Sequence, residues 1–189
     1  IFGPSLEGDT VAMGHETLTP AGLLRVSSVN EDLSDDVVGM LIEASFDSQL
    51  VDATYLPEEM NVKEAREYAS ERAGRAYIVF LDDVPVGWYE IGPIHSACGF
   101  ETPAGTFERE VWLLSAARGM RLINKTTELL RHDFLKSGVT HLLSVTWDSN
   151  VSAKRGLLNS GATRLGAGLW EYPGYTSGWC EVWLIDLLL

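Results

Sequence analysis

The stretch RGMRLINKTTELLRHDFLKSGVTHLLSVTWDSNVSAKRGLLNSG, residues 118–161, decides the fold. Arg118 to Ser137 reads as one helix, and Gly138 stands where a left-handed residue closes it, because glycine takes positive φ without a Cβ clash. His141 to Trp147 (HLLSVTW) is short, apolar and rich in strand formers. Asn150 then precedes a short helix that runs to Asn159 and ends at Gly161. The unit is helix, strand, helix, each with its own terminator.

Working outward, Phe107 to Leu114 (FEREVWLL) is a strand leading into this unit. Before it, Gly92 to Gly105 is a Gly/Pro-rich loop. Ala76 to Leu81 (AYIVFL) and Val84 to Ile91 (VPVGWYEI) flank Asp82-Asp83 and read as an antiparallel hairpin, with Pro85 at a strand entry. Two helices are expected upstream. One carries Val37, Val38, Leu41, Ile42, Ala44 and Phe46 behind the caps Asp32, Ser34 and Asp35; the other runs from Pro57 to Arg72. Leu23 to Val29 is a strand, and residues 1–22, with Gly3, Pro4, Gly8, Gly14, Pro20 and Gly22, read as an irregular arm. Downstream, Arg164 to Glu171 and Glu181 to Leu188 supply two more strands. The order β-α-α-β-β-β-α-β-α-β-β predicts a mixed α/β (α+β) fold: a mostly antiparallel sheet with helices on both faces, one domain over residues 23–189.

Composition narrows the function classes. The chain has 189 residues and a formal net charge of −13. Such a surface repels phosphate backbones and argues against sequence-independent nucleic-acid binding; it attracts amines, polyamines and basic peptides, or simply keeps the protein in solution. No apolar run is long enough to span a bilayer, so no membrane partner is expected. No basic segment precedes an apolar one, so no signal peptide is expected, and Cys98 and Cys180 lie too far apart for a metal spacing; a reduced, cytoplasmic chain is the expectation. The first residue is Ile, which points to a trimmed or processed chain.

The ordered points Arg118-Gly119, Gly138, Asn150 and Gly161-Ala162 resemble those of the GNAT acyl-CoA N-acyltransferases. That family opens its central helix with Arg/Gln-x-x-Gly-x-Gly/Ala, closes it with Gly, and starts the next helix with Asn-x-x-Ala/Ser, here Asn150-Val151-Ser152-Ala153. The resemblance covers about residues 23–189. It implies acetyl-CoA as co-substrate, its pyrophosphate held by backbone N–H groups of a tight loop entering a helix N-terminus. The residues so assigned are Arg118, Gly119, Met120, Arg121, Leu122 and Ile123, with Asn150 beyond the next strand. Leu113 and Leu114 match the strand positions whose backbone N–H polarises the thioester carbonyl. The chain departs from the pattern at Arg121 and Ile123, which stand at the family's central Gly and final Gly/Ala. Arg118 and Arg121 can hold phosphate by charge; equally, Arg121 and Ile123 can fill the groove.

Acyl transfer to an amine needs a base, an oxyanion donor and a proton for the leaving thiolate. Members with a base often carry it on the strand before the Arg-x-x-Gly motif, where Glu108 and Glu110 match. Period two puts Glu108, Glu110 and Trp112 on one face and Arg109, Val111 and Leu113 on the other. The alternative is a solvent-facing strand with Glu108 or Glu110 paired to Arg109 or a neighbour. The family's usual acid, a Tyr seven residues after the Asn, is replaced by Leu157, which leaves His95, Tyr172 or Tyr175 from loops, or an unassisted thiolate. Trp170 to Trp179 spans a loop that either borders the acceptor site or packs as a plain hairpin.

The resemblance therefore implies an acetyl-CoA-dependent N-acetyltransferase acting on a small amine, amino acid or peptide in a ternary complex. The alternatives are a silent GNAT-like binding or dimerisation domain, and a transferase using a longer acyl-CoA or acyl-carrier donor. A homodimer is one expected state.

Overall fold

The computed structural model describes residues 15–30, 33–54, 56–94, 99–170 and 178–189. The hairpin forms as its turn chemistry dictates. β3 (Ala76–Leu81) and β4 (Val84–Gly92) are joined by Asp82 and Asp83, both left-handed at φ 49° and 64°. Two left-handed residues give a turn that matches the twist of its strands. Asp82 Oδ1 also accepts the N–H of Leu23 at 2.8 Å, which ties β2 (Gly22–Ser28) to the same turn.

Three helices precede the hairpin, each opened by its own cap. Ser34 accepts from the Val37 N–H and opens α1 (Asp35–Ser45). A four-residue helix, α2 (Ser48–Val51), begins behind Asp47. Asn61 and Glu64 form a reciprocal capping box on α3 (Val62–Ser70), a device worth about 1 kcal/mol. The expected helix from Pro57 therefore starts five residues late, because Asn61 takes extended backbone (φ −88°, ψ 176°). Phe46 lies beyond α1 and is exposed.

β5 (Thr106–Leu113), α4 (Leu122–Lys136), β6 (His141–Trp147) and α5 (Val151–Asn159) follow as expected in kind. α4 starts at Leu122 instead of Arg118. The last strands are β7 (Thr163–Trp170) and β8 (Gly178–Asp186). A further strand, β1 (His15–Thr19), corrects the reading of residues 1–22 as irregular; residues 1–14 lie outside the described ones.

The sheet has eight strands in the order β1-β2-β3-β4-β5-β6-β8-β7. Each neighbouring pair is antiparallel except β5 and β6. Both faces are covered. Tyr89, Leu113, Leu122, Leu130, Phe134, Leu142, Leu157 and Trp183 form the core under α4 and α5. Val37, Leu41, Ala65, Tyr68, Ile78, Trp88 and Trp112 form the core under α1 and α3. No helix among the described residues is long and apolar enough to cross a membrane.

Tyr77 sits edge-on to Phe134 on the α4 face, and its phenol is pushed up to about 12, first by burial and then by the charges of Asp133 and Tyr89. An unfolded phenol ionises near pH ~10. The stability conferred by neutral Tyr77 is thus complete below about pH 10 and is lost as pH rises toward about 12. Tyr77→Phe cannot ionise, so its melting temperature should fall less steeply than the parent's across that window. Parallel slopes in thermal melts would remove this assignment.

Candidate functional site

β5 and β6 pair over only three positions, Thr106 with His141, Phe107 with Leu142 and Glu108 with Leu143. Beyond them the strands part and form a fork that opens toward the start of α4. The ladder between β4 and β5 fixes which backbone groups face it. The Leu114 N–H donates to Val86 O at 2.8 Å, toward β4. Backbone direction alternates along a strand, so the N–H groups of Leu113 and Val111 point away from β4 and into the fork. Of the two positions expected to polarise a carbonyl, Leu114 is therefore committed elsewhere, and Leu113 has the required direction.

The chain leaves β5 through a 3-10 turn at Ser115–Ala117 and enters α4 through a nest of unusual backbone. Gly119 has φ 79° and Arg121 φ 59°. The glycine-like conformation that the family's motif supplies with Gly is present here at an arginine. Its cost is about 1–2 kcal/mol for a residue with a Cβ. Among the described residues, the N–H groups of Gly119, Met120, Arg121, Leu122 and Ile123 have no hydrogen-bond partner, and α4 has no side-chain cap. Consecutive N–H groups in such a turn form a concavity suited to an anion, and the helix dipole adds to it.

The side chains divide into two sets. Arg121 is exposed, as is Met120 at 42%. Leu122 is fully buried and Ile123 packs against the same core, so neither fills the groove. Arg118 does not present its guanidinium to an anion: Nε donates to Leu113 O at 3.0 Å, Nη1 to Gln49 at 3.1 Å and Nη2 to Asp47 at 2.6 Å. It is a strap between the end of β5 and α2. Asn150 Oδ1 accepts the Ala153 N–H at 3.0 Å and caps α5.

On the α1/α3 side of the sheet, Trp112 stacks on Trp88 with ring planes 7° apart. Glu110 stands opposite Glu90 in the ladder, and Glu108 opposite Gly92. Glu90 is held by Arg72 at 3.2 Å, Arg75 at 3.1 Å and the Trp88 indole N–H at 3.2 Å. Glu108 is 9% exposed and Glu110 half-buried. The two acids lie on one face as period two demands. Arg109 is on the opposite face, where Nε donates to Ser144 Oγ at 2.6 Å and Nη1 to Thr127 Oγ1 at 3.1 Å.

Sequence reasoning passed over Arg109 and Glu90. The available signal for Arg109 was a lone cation on the apolar face of an alternating strand.

Leu157, at the family's Tyr position, is buried in the α4/α5 core. Ser160 Oγ donates to Leu157 O, and Ser152 is exposed. His95, Cys98, Tyr172 and Tyr175 lie outside the described residues. Trp170, at the start of the loop expected to border an acceptor, packs edge-on against Trp147. Among the described residues no cluster of His, Cys, Asp and Glu has the makings of a metal site.

No family model and no curated protein sequence matches the chain. Solved structures do. RimL, a ribosomal L7/L12 alpha-N-protein acetyltransferase in complex with coenzyme A, is 12% identical with a TM-score of 0.71, covering 92% of this chain and 98% of that one. RimJ of Mycobacterium smegmatis, in complex with CoA-disulfide, is 16% identical with a TM-score of 0.70, covering 92% and 86%. A GNAT-family acetyltransferase from Bacillus anthracis is 13% identical with a TM-score of 0.68, covering 92% and 100%. The chain has the GNAT fold.

Arg121→Gly should remove the left-handed strain at the start of α4 and stabilise the protein by about 1 kcal/mol. Denaturant unfolding checks it; a loss of stability would mean that the Arg121 side chain holds the loop.

Proposed function

We propose that this chain, built on the GNAT fold, is an N-acetyltransferase that binds acetyl-CoA in the β5–β6 fork and passes the acetyl group to a primary amine. The observation that carries the reading is the fork itself. Its open end meets the unpartnered N–H groups of Gly119 to Ile123, and its β5 edge offers the peptide groups of Val111 and the N–H of Leu113.

The roles follow from chemistry and position. The N–H groups at the start of α4 hold the pyrophosphate, with the exposed Arg121 adding charge. The β5 edge takes the amide-bearing arm of the donor as a further strand would be taken. The Leu113 N–H is aimed where a thioester carbonyl gains negative charge. On the other side of the sheet, Glu110 and Glu108 hold the acceptor as an ammonium and draw off its proton, directly or through water. The freed amine attacks the carbonyl carbon, the C–S bond breaks, and the thiolate takes a proton. Leu157 in place of a Tyr leaves that last step without the family's usual acid among the described residues, so the proton comes from solvent or from His95, Tyr172 or Tyr175. The acceptor is a small molecule, amino acid or peptide amine, drawn by a net charge of −13.

A chain that binds the donor but has lost turnover shares the fork and differs at Leu157, and the same experiment separates the two. Acetyl-CoA at about 100 times its Kd stabilises a folded protein by ~2.7 kcal/mol, so the melting temperature should rise by about 5 °C or more. No shift at millimolar acetyl-CoA would sink the proposal. With binding established, release of CoA thiol is measured against a panel of amines. Glu110→Gln should lower kcat/KM by about 100-fold or more and abolish the acidic limb of its pH profile, Glu108→Gln less. Binding with no thiol released for any amine favours the silent domain.

A further inference from the structure

The open end of the fork is bridged by α2. β5 ends at Leu113 and β6 at Trp147, and the two run parallel, so both strand ends lie there. α2 is fastened at each side. From beyond β5, Arg118 reaches Asp47 Oδ2 with Nη2 at 2.6 Å and Gln49 with Nη1 at 3.1 Å. From β6, the Trp147 indole N–H donates to Asp52 O at 2.7 Å. Asp47 to Asp52 at helical rise is about 7 Å, against ~4.8 Å between paired strands, so α2 crosses a gap wider than a ladder. Leu50 and Leu56 seat it in the core that holds Trp112. α2 is thus a crossbar on the face that carries Glu108 and Glu110.

Arg118 grips more than the crossbar. Its Nε donates to Leu113 O at 3.0 Å and holds the residue whose N–H faces the fork. Its own carbonyl shares a peptide with the N–H of Gly119, the first of the unpartnered N–H groups at the start of α4. The guanidinium serves three partners because its donors form a planar fork; an ammonium is a single point. Asp47 is shared in the same way. Its Oδ1 accepts the Gln49 N–H at 3.0 Å and caps α2, while Oδ2 takes Arg118. The pair is partly shielded from solvent, at 34% and 24% exposure of the two side chains.

Resting on the reading above, we propose that Arg118 is the positioning residue that couples the donor site to the acceptor side. It touches neither substrate. A pyrophosphate held by the N–H groups of Gly119 to Ile123 immobilises the peptide next to Arg118, and through the guanidinium it immobilises α2. Local opening of α2 requires the Arg118 side chain to let go or to move with its loop, and a bound donor stops the second route. By linkage the effect is mutual: an acceptor that rests against the crossbar tightens donor binding by the same factor.

Amide hydrogen exchange of the intact protein, free and saturated with acetyl-CoA, tests this with no acceptor present. The N–H groups of Leu50, Val51, Asp52 and Ala53 are hydrogen-bonded within the crossbar, so their exchange reports its opening. They should exchange at least about fivefold more slowly with acetyl-CoA bound. Asp47→Asn keeps the cap, since Asn caps as well as Asp, and removes the charge that Arg118 holds. In that variant the slowing should fall below about twofold while the affinity for acetyl-CoA stays within about threefold. Arg118→Lys should lose most of the slowing as well, because it cannot hold its partners at once. Acetyl-CoA binding with no slowing in the wild-type crossbar overturns the proposal while the CoA site stands. A slowing that survives both substitutions means that the donor touches α2 directly, and overturns it too. No binding of acetyl-CoA overturns both readings.

Discussion

The bracket from Arg109 to Ser144 and Thr127 is the constraint on which the site depends. The sheet is two antiparallel blocks, β1 to β5 and β6-β8-β7, joined by a single short parallel seam. Had the seam continued, the backbone groups of Val111 and Leu113 would be consumed by β6 and no cleft would exist. Had it been absent, the two blocks would be held mainly by α4 and α5. The arginine takes over at the position where the ladder stops, with side-chain bonds in place of backbone ones. It ties both strands and the helix above them at one point, and the gap beyond is fixed in width at its root.

The two mouths of the fork have opposite chemistry. Toward α1 and α3 lie Glu90, Glu108 and Glu110, with Arg72 and Arg75 held by Glu90. Toward α4 lie Arg109 and the N–H groups of the helix start. A sheet one residue thick separates them. Period two alone produces this division, since adjacent residues on β5 must face opposite ways.

The fold was legible because its punctuation is local. Asp82-Asp83 makes its own turn, Gly138 with φ 84° closes its own helix, and Asn150 caps the helix that follows it. Each acts on residues within a few positions. α2, at four residues, is too short to show a period, and β1 lies among glycines and prolines that speak for a coil. The site was legible only where backbone carries it. The left-handed start of α4 is formed at Arg121 in spite of its side chain, because Gly119 and the buried Leu122 fix the path on either side. The partners of Arg118, Asp47 and Gln49, lie about seventy residues away, beyond the reach of a local pattern. Arg109 meets Ser144 across 35 residues, a contact that no local pattern encodes.

The order of the last two strands has a consequence for how the protein is made. β8 lies between β6 and β7, and among the described residues β7 joins the sheet through β8 alone. On the ribosome β7 emerges before the strand that will hold it. Until β8 is synthesised, one edge of β6 is bare, and Leu169 and the buried Trp170 have no sheet to lie on. Completion of that side waits for β8, and in the interval before it the nascent chain is exposed to mispairing along that edge.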